Sequence, residues 1–158
     1  IEDIAQALSM NCRYSGHVKD FYSVAEHSVI IADLVYKETH SKHEALSALL
    51  HDASEAYLTD VPRPIKPYLT NYVKIEASVE KIVQEKFNIS PMSKLTKYLD
   101  THIVGAEAKL LFNVVPDWAH NYDDMCINID SHSPKTAKAK FMKAFDFYSK
   151  GKTLWLLG

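Results

Sequence analysis

The sequence predicts an all-α fold, a single bundle of about six helices. Three observations predict it. Apolar residues recur at three- and four-residue spacing along most of the chain. Val/Ile alternation at strand period is absent, and glycine is scarce at four residues. Helix-start signals, a Ser followed by Pro or by Glu three residues on, precede several of the periodic stretches. At 158 residues the chain is expected to form one domain with a sizeable core.

The elements follow in order. Residues 1–9 read as a short first helix, and a polar stretch over 11–22 carries Arg13, Tyr14, Gly16 and His17. Ser23-Val24-Ala25-Glu26 has capping-box spacing, with Ser23 as N-cap and Glu26 at the third helical position. His27, Ile31, Leu34 and Val35 then share one face of the second helix. A third helix is expected over about 42–58, ending where Pro62, Pro64 and Pro67 forbid continuation. The fourth spans about 68–87, with Tyr72, Ile75, Val79 and Ile82 as its inner stripe. Ser90-Pro91 reads as N-cap and first-turn proline of a fifth helix reaching about Asn113. On it Asp100, Ile103, Val104 and Glu107 fall on one face. Residues 114–132 read as a loop. Ser133-Pro134 opens the last helix, with Ala137, Phe141, Ala144, Phe145 and Tyr148 inward.

Composition narrows the function classes. An apolar fraction of 47% and a charged fraction of 24% are ordinary for a globular protein. A net charge of -2 argues against non-specific binding to nucleic acid or anionic membrane. Cys12 and Cys126 form no CxxC, so a reducing compartment is expected. No apolar stretch reaches membrane-spanning length, and the first residues lack a signal-peptide core, which together give a cytoplasmic expectation. Eight histidines raise the prospect of a metal site without locating one.

The run HDASEAYLTDVP locates it. His51 and Asp52 are good ligands side by side, about 100° apart on a helix, so they can share one ion only at the edge of a buried face. Glu55 stands four residues after one and three after the other, where its side chain can approach both. That suits a carboxylate working beside a metal; it equally suits a solvated helix face. His27 lies on an apolar stripe and needs a partner there, which a backbone carbonyl could also supply. Asp100 shares its stripe with Ile103 and Val104, where a carboxylate is out of place unless paired, with Lys97 as an ordinary partner. Together the four come from three helices and make a His₂Asp₂ set between them. Such ligation suits a divalent transition metal (cobalt, manganese or zinc, with magnesium a further option) and leaves coordination positions open.

His27…His51-Asp52…Asp100 resembles the H…HD…D signature of HD-domain phosphohydrolases. The longer match is closer. Arg13-Tyr14, then Phe21 to Ser28, then HDASEAYLTDVPRPIK from His51 to Lys66, is similar to the bacterial 5'-deoxynucleotidases and their phage relatives, which include dATP triphosphohydrolases. The bare HD pair is a weak signal, whereas the composite HDxSExxxxDxPxPxK with an upstream Glu-His is specific. The likeness covers roughly residues 11–110. It implies an HD-type bundle with His27, His51, Asp52 and Asp100 as metal ligands and Glu55 as the acid/base carboxylate. It implies Asp60 near the sugar and the leaving oxygen, and Arg13 on the substrate phosphate, which a guanidinium can grip bidentately. Tyr14 stands where bacterial members have Trp, and it can still stack on a sugar or base. Lys66 and Arg63 are further basic candidates, and Ser15 to Val18 a candidate wall of the base pocket.

The expected activity is metal-dependent hydrolysis of the 5'-phosphate ester of a deoxynucleotide, releasing deoxynucleoside. One alternative is release of triphosphate from a deoxynucleoside triphosphate, with Lys19, Arg63 and Lys66 holding the extra phosphates. Another is a non-catalytic nucleotide sensor, against which the intact ligand set argues. The expected partner is a small deoxynucleotide, with no nucleic-acid polymer and no membrane. The resemblance implies a dimer or larger homo-oligomer. The aromatic last helix (Phe141, Phe145, Phe147, Tyr148) and the tail Leu154-Trp155-Leu156-Leu157 offer apolar surface that serves either that assembly or the chain's own core.

Overall fold

Seven α-helices and three short 3₁₀ turns account for the regular structure among the described residues, 1–150 of a computed structural model. The helices are α1 (Glu2–Met10), α2 (Val24–Thr39), α3 (Lys42–Leu49), α4 (Glu55–Leu58), α5 (Thr70–Phe87), α6 (Lys94–Leu111) and α7 (Pro134–Ser149). No strand occurs among the described residues. One isolated antiparallel bridge, Cys12 to Ser23, closes the 12–23 loop. The fold is all-α, as the sequence predicts. The apolar tail Leu154 to Leu157 lies outside the described residues.

α2 is the central element. One face (Val24, Ala25, Ala32) packs into a core with Ile4 and Leu8 of α1, Leu46 and Leu49 of α3, and Phe141 of α7. The adjoining face (Ile31, Val35) packs with Leu99, Ile103 and Val104 of α6. α7 crosses α1, α2 and α3. Of its aromatic residues, Phe141 and Tyr148 are buried and Phe145 is half-buried, leaving only Phe147 well exposed. The α7 part of that aromatic surface is therefore mostly the chain's own core. Among the described residues no helix is long and apolar enough to cross a membrane.

Caps explain several boundaries. Ser23 accepts the Glu26 N–H at 3.1 Å, and Ser133 accepts the Thr136 N–H at 3.3 Å, as their spacing predicts. The Glu26 carboxylate does not return to the cap. It accepts the backbone N–H groups of Asp130 (3.0 Å) and His132 (2.8 Å), tying down the loop before α7. α6 starts later than expected: Ser93 caps it by accepting the Thr96 N–H at 3.1 Å, and Ser90-Pro91 lie outside the helix. Ser90 instead donates its N–H to Ser47 Oγ (3.2 Å), which draws it toward α3.

Two further expectations fail. The inner stripe of α5 is displaced: Ile75 and Ile82 are 54% and 63% exposed, whereas Glu76 and Val83 are buried. Periodicity marks a stripe only where apolar residues face the core, and here a carboxylate with its own partners takes the inner position. The helix expected over 42–58 is two helices, α3 and α4, divided at residues 50–54. That break bears directly on the ligands.

Candidate metal centre

His51 and Asp52 sit in the break. His51 N–H bonds to Ala48 O (3.3 Å), Ala53 N–H to Leu50 O (3.1 Å) and Glu55 N–H to Asp52 O (3.0 Å), all with three-residue closure. Asp and Ser have lower helix propensity than the residues before them, so a regular helix is less favoured there. In an uninterrupted α-helix Ala48 C=O would accept from residue 52. Here it accepts the His51 ring Nδ1–H at 2.7 Å. A carbonyl can only accept, so the contact fixes the tautomer and leaves the Nε2 lone pair for a metal.

His27, on the buried face of α2, is prepared in the same way from another source. Its Nδ1 donates to Glu107 Oε1 at 2.7 Å. Its Nε2 and that of His51 are both buried and have no hydrogen-bond partner among the described residues. Each instead faces a carboxylate oxygen at ion-pair distance, an arrangement that a cation between them would bridge. Asp100 of α6 places Oδ1 3.3 Å from His27 Nε2 and 3.8 Å from His51 Nε2. Ligand atoms of His27, His51 and Asp100 all lie within 4.8 Å of one another, a group that could hold a metal ion. The fourth expected ligand is adjacent: Asp52 Oδ2 is 3.1 Å from His51 Nε2 and 3.7 Å from His27 Nε2. It also faces Arg13 Nη1 at 3.8 Å. Two imidazoles and a carboxylate are donors that fit a metal ion.

Electrostatics agree. Asp52, Asp100 and Glu107 face the guanidiniums of Arg13 and Arg63. Burial pushes the Asp100 carboxyl up, but His27 and His51 pull it down by more, well below the usual carboxylate range. Burial lowers the His51 imidazole, and Asp52 and Asp100 outweigh it. Its pKa therefore stands well above the usual histidine range without a metal. A metal must displace that proton.

Glu55 opens α4 beside this cluster. Its Oε2 is buried and unpartnered among the described residues. Burial, then the charges of Asp52 and Asp60, push its carboxyl up to about 9. Asp60 is raised too, first by burial. The chain enters Asp60 through Thr59 at φ 63 and ψ 162, a region essentially reserved for glycine. A β-branched residue there costs roughly 1–3 kcal/mol, held in part by Tyr72, whose hydroxyl donates to Thr59 O at 3.1 Å. Arg13 is buried, with Nη2 on Glu107 Oε2 at 3.2 Å. Tyr14 donates its hydroxyl to the same oxygen and sets its ring edge-on to Phe112 at 5.2 Å. Tyr14 and Ser15 both hold left-handed backbone (φ 56 and 51), so the segment after Arg13 is sharply turned. Lys66 is engaged with Glu76 at 2.8 Å. Arg63, from the proline-rich segment, bonds Asp100 Oδ2 at 2.5 Å.

The residue with a role that sequence reasoning missed is Glu107. It is fully buried and receives Arg13, Tyr14, Tyr22 (2.7 Å) and His27. Burial raises its carboxyl, and Arg13 and His27 more than reverse that, so it stays ionised. The available signal was its place seven residues after Asp100 on the same apolar stripe, where an unpaired carboxylate could not remain.

No protein-family model matches the chain. It is 41% identical over 110 residues to YfdR of Escherichia coli, a protein described as uncharacterized; the match covers 69% of this chain and 59% of YfdR. It is 34% identical over 119 residues to an uncharacterized protein of Rhodobacter capsulatus, covering 69% of this chain and 61% of that protein. The chain thus spans about three fifths of the length of these relatives.

Proposed function

We propose that this chain is an HD-type, metal-dependent phosphohydrolase that cleaves the 5'-phosphate ester of deoxynucleotides. The observation that carries the reading is the convergence of two buried imidazole Nε2 atoms on the carboxylates of Asp52 and Asp100. Both rings are locked at Nδ1, and both face Asp52 and Asp100 beside a carboxyl group that is protonated at neutral pH. His27, His51, Asp100 and Asp52 would hold the ion. When bound, a divalent ion supplies an activated water and polarises a phosphoryl oxygen.

The chain's own groups supply the rest. Glu55, whose carboxyl is held protonated by burial in the metal-free protein, would donate its proton to the leaving 5'-oxygen as the P–O5' bond breaks. Asp60 lies close enough to feel the charges of Arg13 and Asp52, a position consistent with contact to the sugar. Arg13 keeps a buried Nε that has no partner among the described residues, a donor for a phosphate oxygen. Arg63 and Lys66 are already paired with carboxylates, which favours a single phosphate over a triphosphate tail.

The test is a screen of deoxynucleoside mono- and triphosphates against ribonucleotide controls, with cobalt or manganese and product identification. Inorganic phosphate from a deoxynucleoside monophosphate is the expected result. Tripolyphosphate from a triphosphate would replace the reading with triphosphohydrolase. Bound metal and bound nucleotide without turnover would point to a sensor, and failure to bind any metal would sink the reading.

A further inference from the structure

We propose that Arg63 is a positioning residue for the metal ligand Asp100; the inference rests on the metal-centre reading above. One nitrogen, Nη2, donates to both Asp100 Oδ2 (2.5 Å) and the Asp100 carbonyl (3.1 Å). Two bonds to one residue close a ring that fixes the carboxylate's rotation. Oδ2 is thereby occupied, and Oδ1 is the oxygen turned to His27 Nε2 (3.3 Å) and His51 Nε2 (3.8 Å). A ligating carboxylate with its second oxygen held by a hydrogen bond is presented to a metal in one orientation, and loss of such a partner characteristically weakens metal affinity.

The segment that carries Arg63 is built to deliver it. Pro62 and Pro64 restrict the backbone on either side. The turn closes through Ile65 N–H to Pro62 O (3.0 Å), a bond that needs no N–H from Pro64. Both ends of the segment are tied to α5: Tyr72 holds Thr59 O at 3.1 Å, and Glu76 holds Lys66 Nζ at 2.8 Å. α5 buries little apolar surface, yet through these two bonds it sets where Arg63 can reach. The side chain of Arg63 is 49% exposed and that of Asp100 only 15%, so the guanidinium covers Asp100 from the solvent side.

The sign of the effect separates this role from a simple surface ion pair. Acting only as a charge, Arg63 repels a divalent cation, and removing it would tighten metal binding. Acting as a positioner, it is needed, and removing it loosens binding. The experiment is a calorimetric titration of metal-free protein with Co²⁺, with the visible absorption of the cobalt-loaded protein as a second readout. Arg63→Ala is expected to weaken Co²⁺ binding about 10- to 100-fold and to shift the cobalt bands. Arg63→Lys, which can still donate to Oδ2, is expected to recover part of the affinity. Arg63→Ala binding Co²⁺ as tightly as the unaltered protein, or more tightly, would overturn the proposal while leaving the metal centre intact. Arg63→Lys no better than Arg63→Ala would also overturn it, because the loss would then come from the loop's packing. An unaltered protein that binds no Co²⁺ would remove the metal-centre reading itself.

Discussion

On the α2–α6 wall of the site, four donors end on Glu107, and that carboxylate is fully buried. On the opposite wall, Arg63 and Lys66 reach their carboxylates from a proline-rich segment that stays partly in solvent. Each wall orients one member of the candidate metal group, His27 on one and Asp100 on the other. They differ in what each bond is worth. A buried charge network loses several kcal/mol when one member is removed, because the remaining charges stay desolvated. A half-exposed ion pair is replaced by water at almost no cost. The inner wall therefore ties site geometry to folding, and the outer wall can change site geometry while the fold stays as it is.

Breaking the inner wall should have the largest effect. Glu107→Ala is expected to destabilise the protein by about 3–5 kcal/mol, read by urea unfolding. A loss under about 1 kcal/mol would show that the network is not what holds α2 to α6. Glu107→Gln keeps the shape but gives His27 a weaker acceptor, and should lower metal affinity by roughly 10- to 100-fold.

Between the walls the comparison is chemical. Asp52→Ala should abolish turnover and lose metal, whereas Glu55→Ala should lower turnover by about 10²–10⁴ with metal retained. Full activity in Glu55→Ala would end the proton-transfer assignment. The pH dependence follows from the raised carboxyl, near 9 without metal. Glu55 is a proton donor below that pH, so turnover falls as pH rises through it. A bound cation lowers the value, and the basic limb should therefore appear at or below pH 9 and vanish in Glu55→Gln. For stability the sign is the same. The folded protein keeps this proton where the unfolded chain has lost it, so the contribution is complete below the usual glutamate range and declines toward pH 9. Metal affinity runs the other way, rising with pH, because the ion must displace the proton that Asp52 and Asp100 stabilise on His51.

Smaller effects sharpen the contrast. Gly105 lies on α6 between Asp100 and Glu107, and a Cβ there would meet Tyr122 Cβ at 2.7 Å and Ala119 O at 2.9 Å. Gly105→Ala should cost about 1–3 kcal/mol in thermal unfolding, since backbone on the far side must move. Arg63→Ala should change stability by less than about 1 kcal/mol. A larger loss would place the outer wall in the same class as the inner one.

Residues legible in the sequence were those whose signal is local. Ser23 and Ser133 announce helix starts because an N-cap acts within three residues. His27, His51 and Asp100 stand out because polar groups interrupt apolar stripes, and the fold brings the three together. The same local logic misled at 42–58, where good helix formers hide a break that depends on the ring of His51 finding Ala48 O. It misled again on α5, where Glu76 is inward because Lys66 and Tyr72 pair with it.

By itself, then, the sequence determined an all-α chain and the residue types of a candidate metal centre, because helical periodicity and caps are short-range. Tertiary structure alone decided the partners of those residues. Glu107 meets Tyr22, His27 and Arg13 across 85, 80 and 94 residues of chain, and Arg63 meets Asp100 across 37. No spacing rule reaches that far. What selects such pairs is the cost of leaving a buried charge or a ring nitrogen without a partner, and that cost exists only once the helices have packed and excluded water.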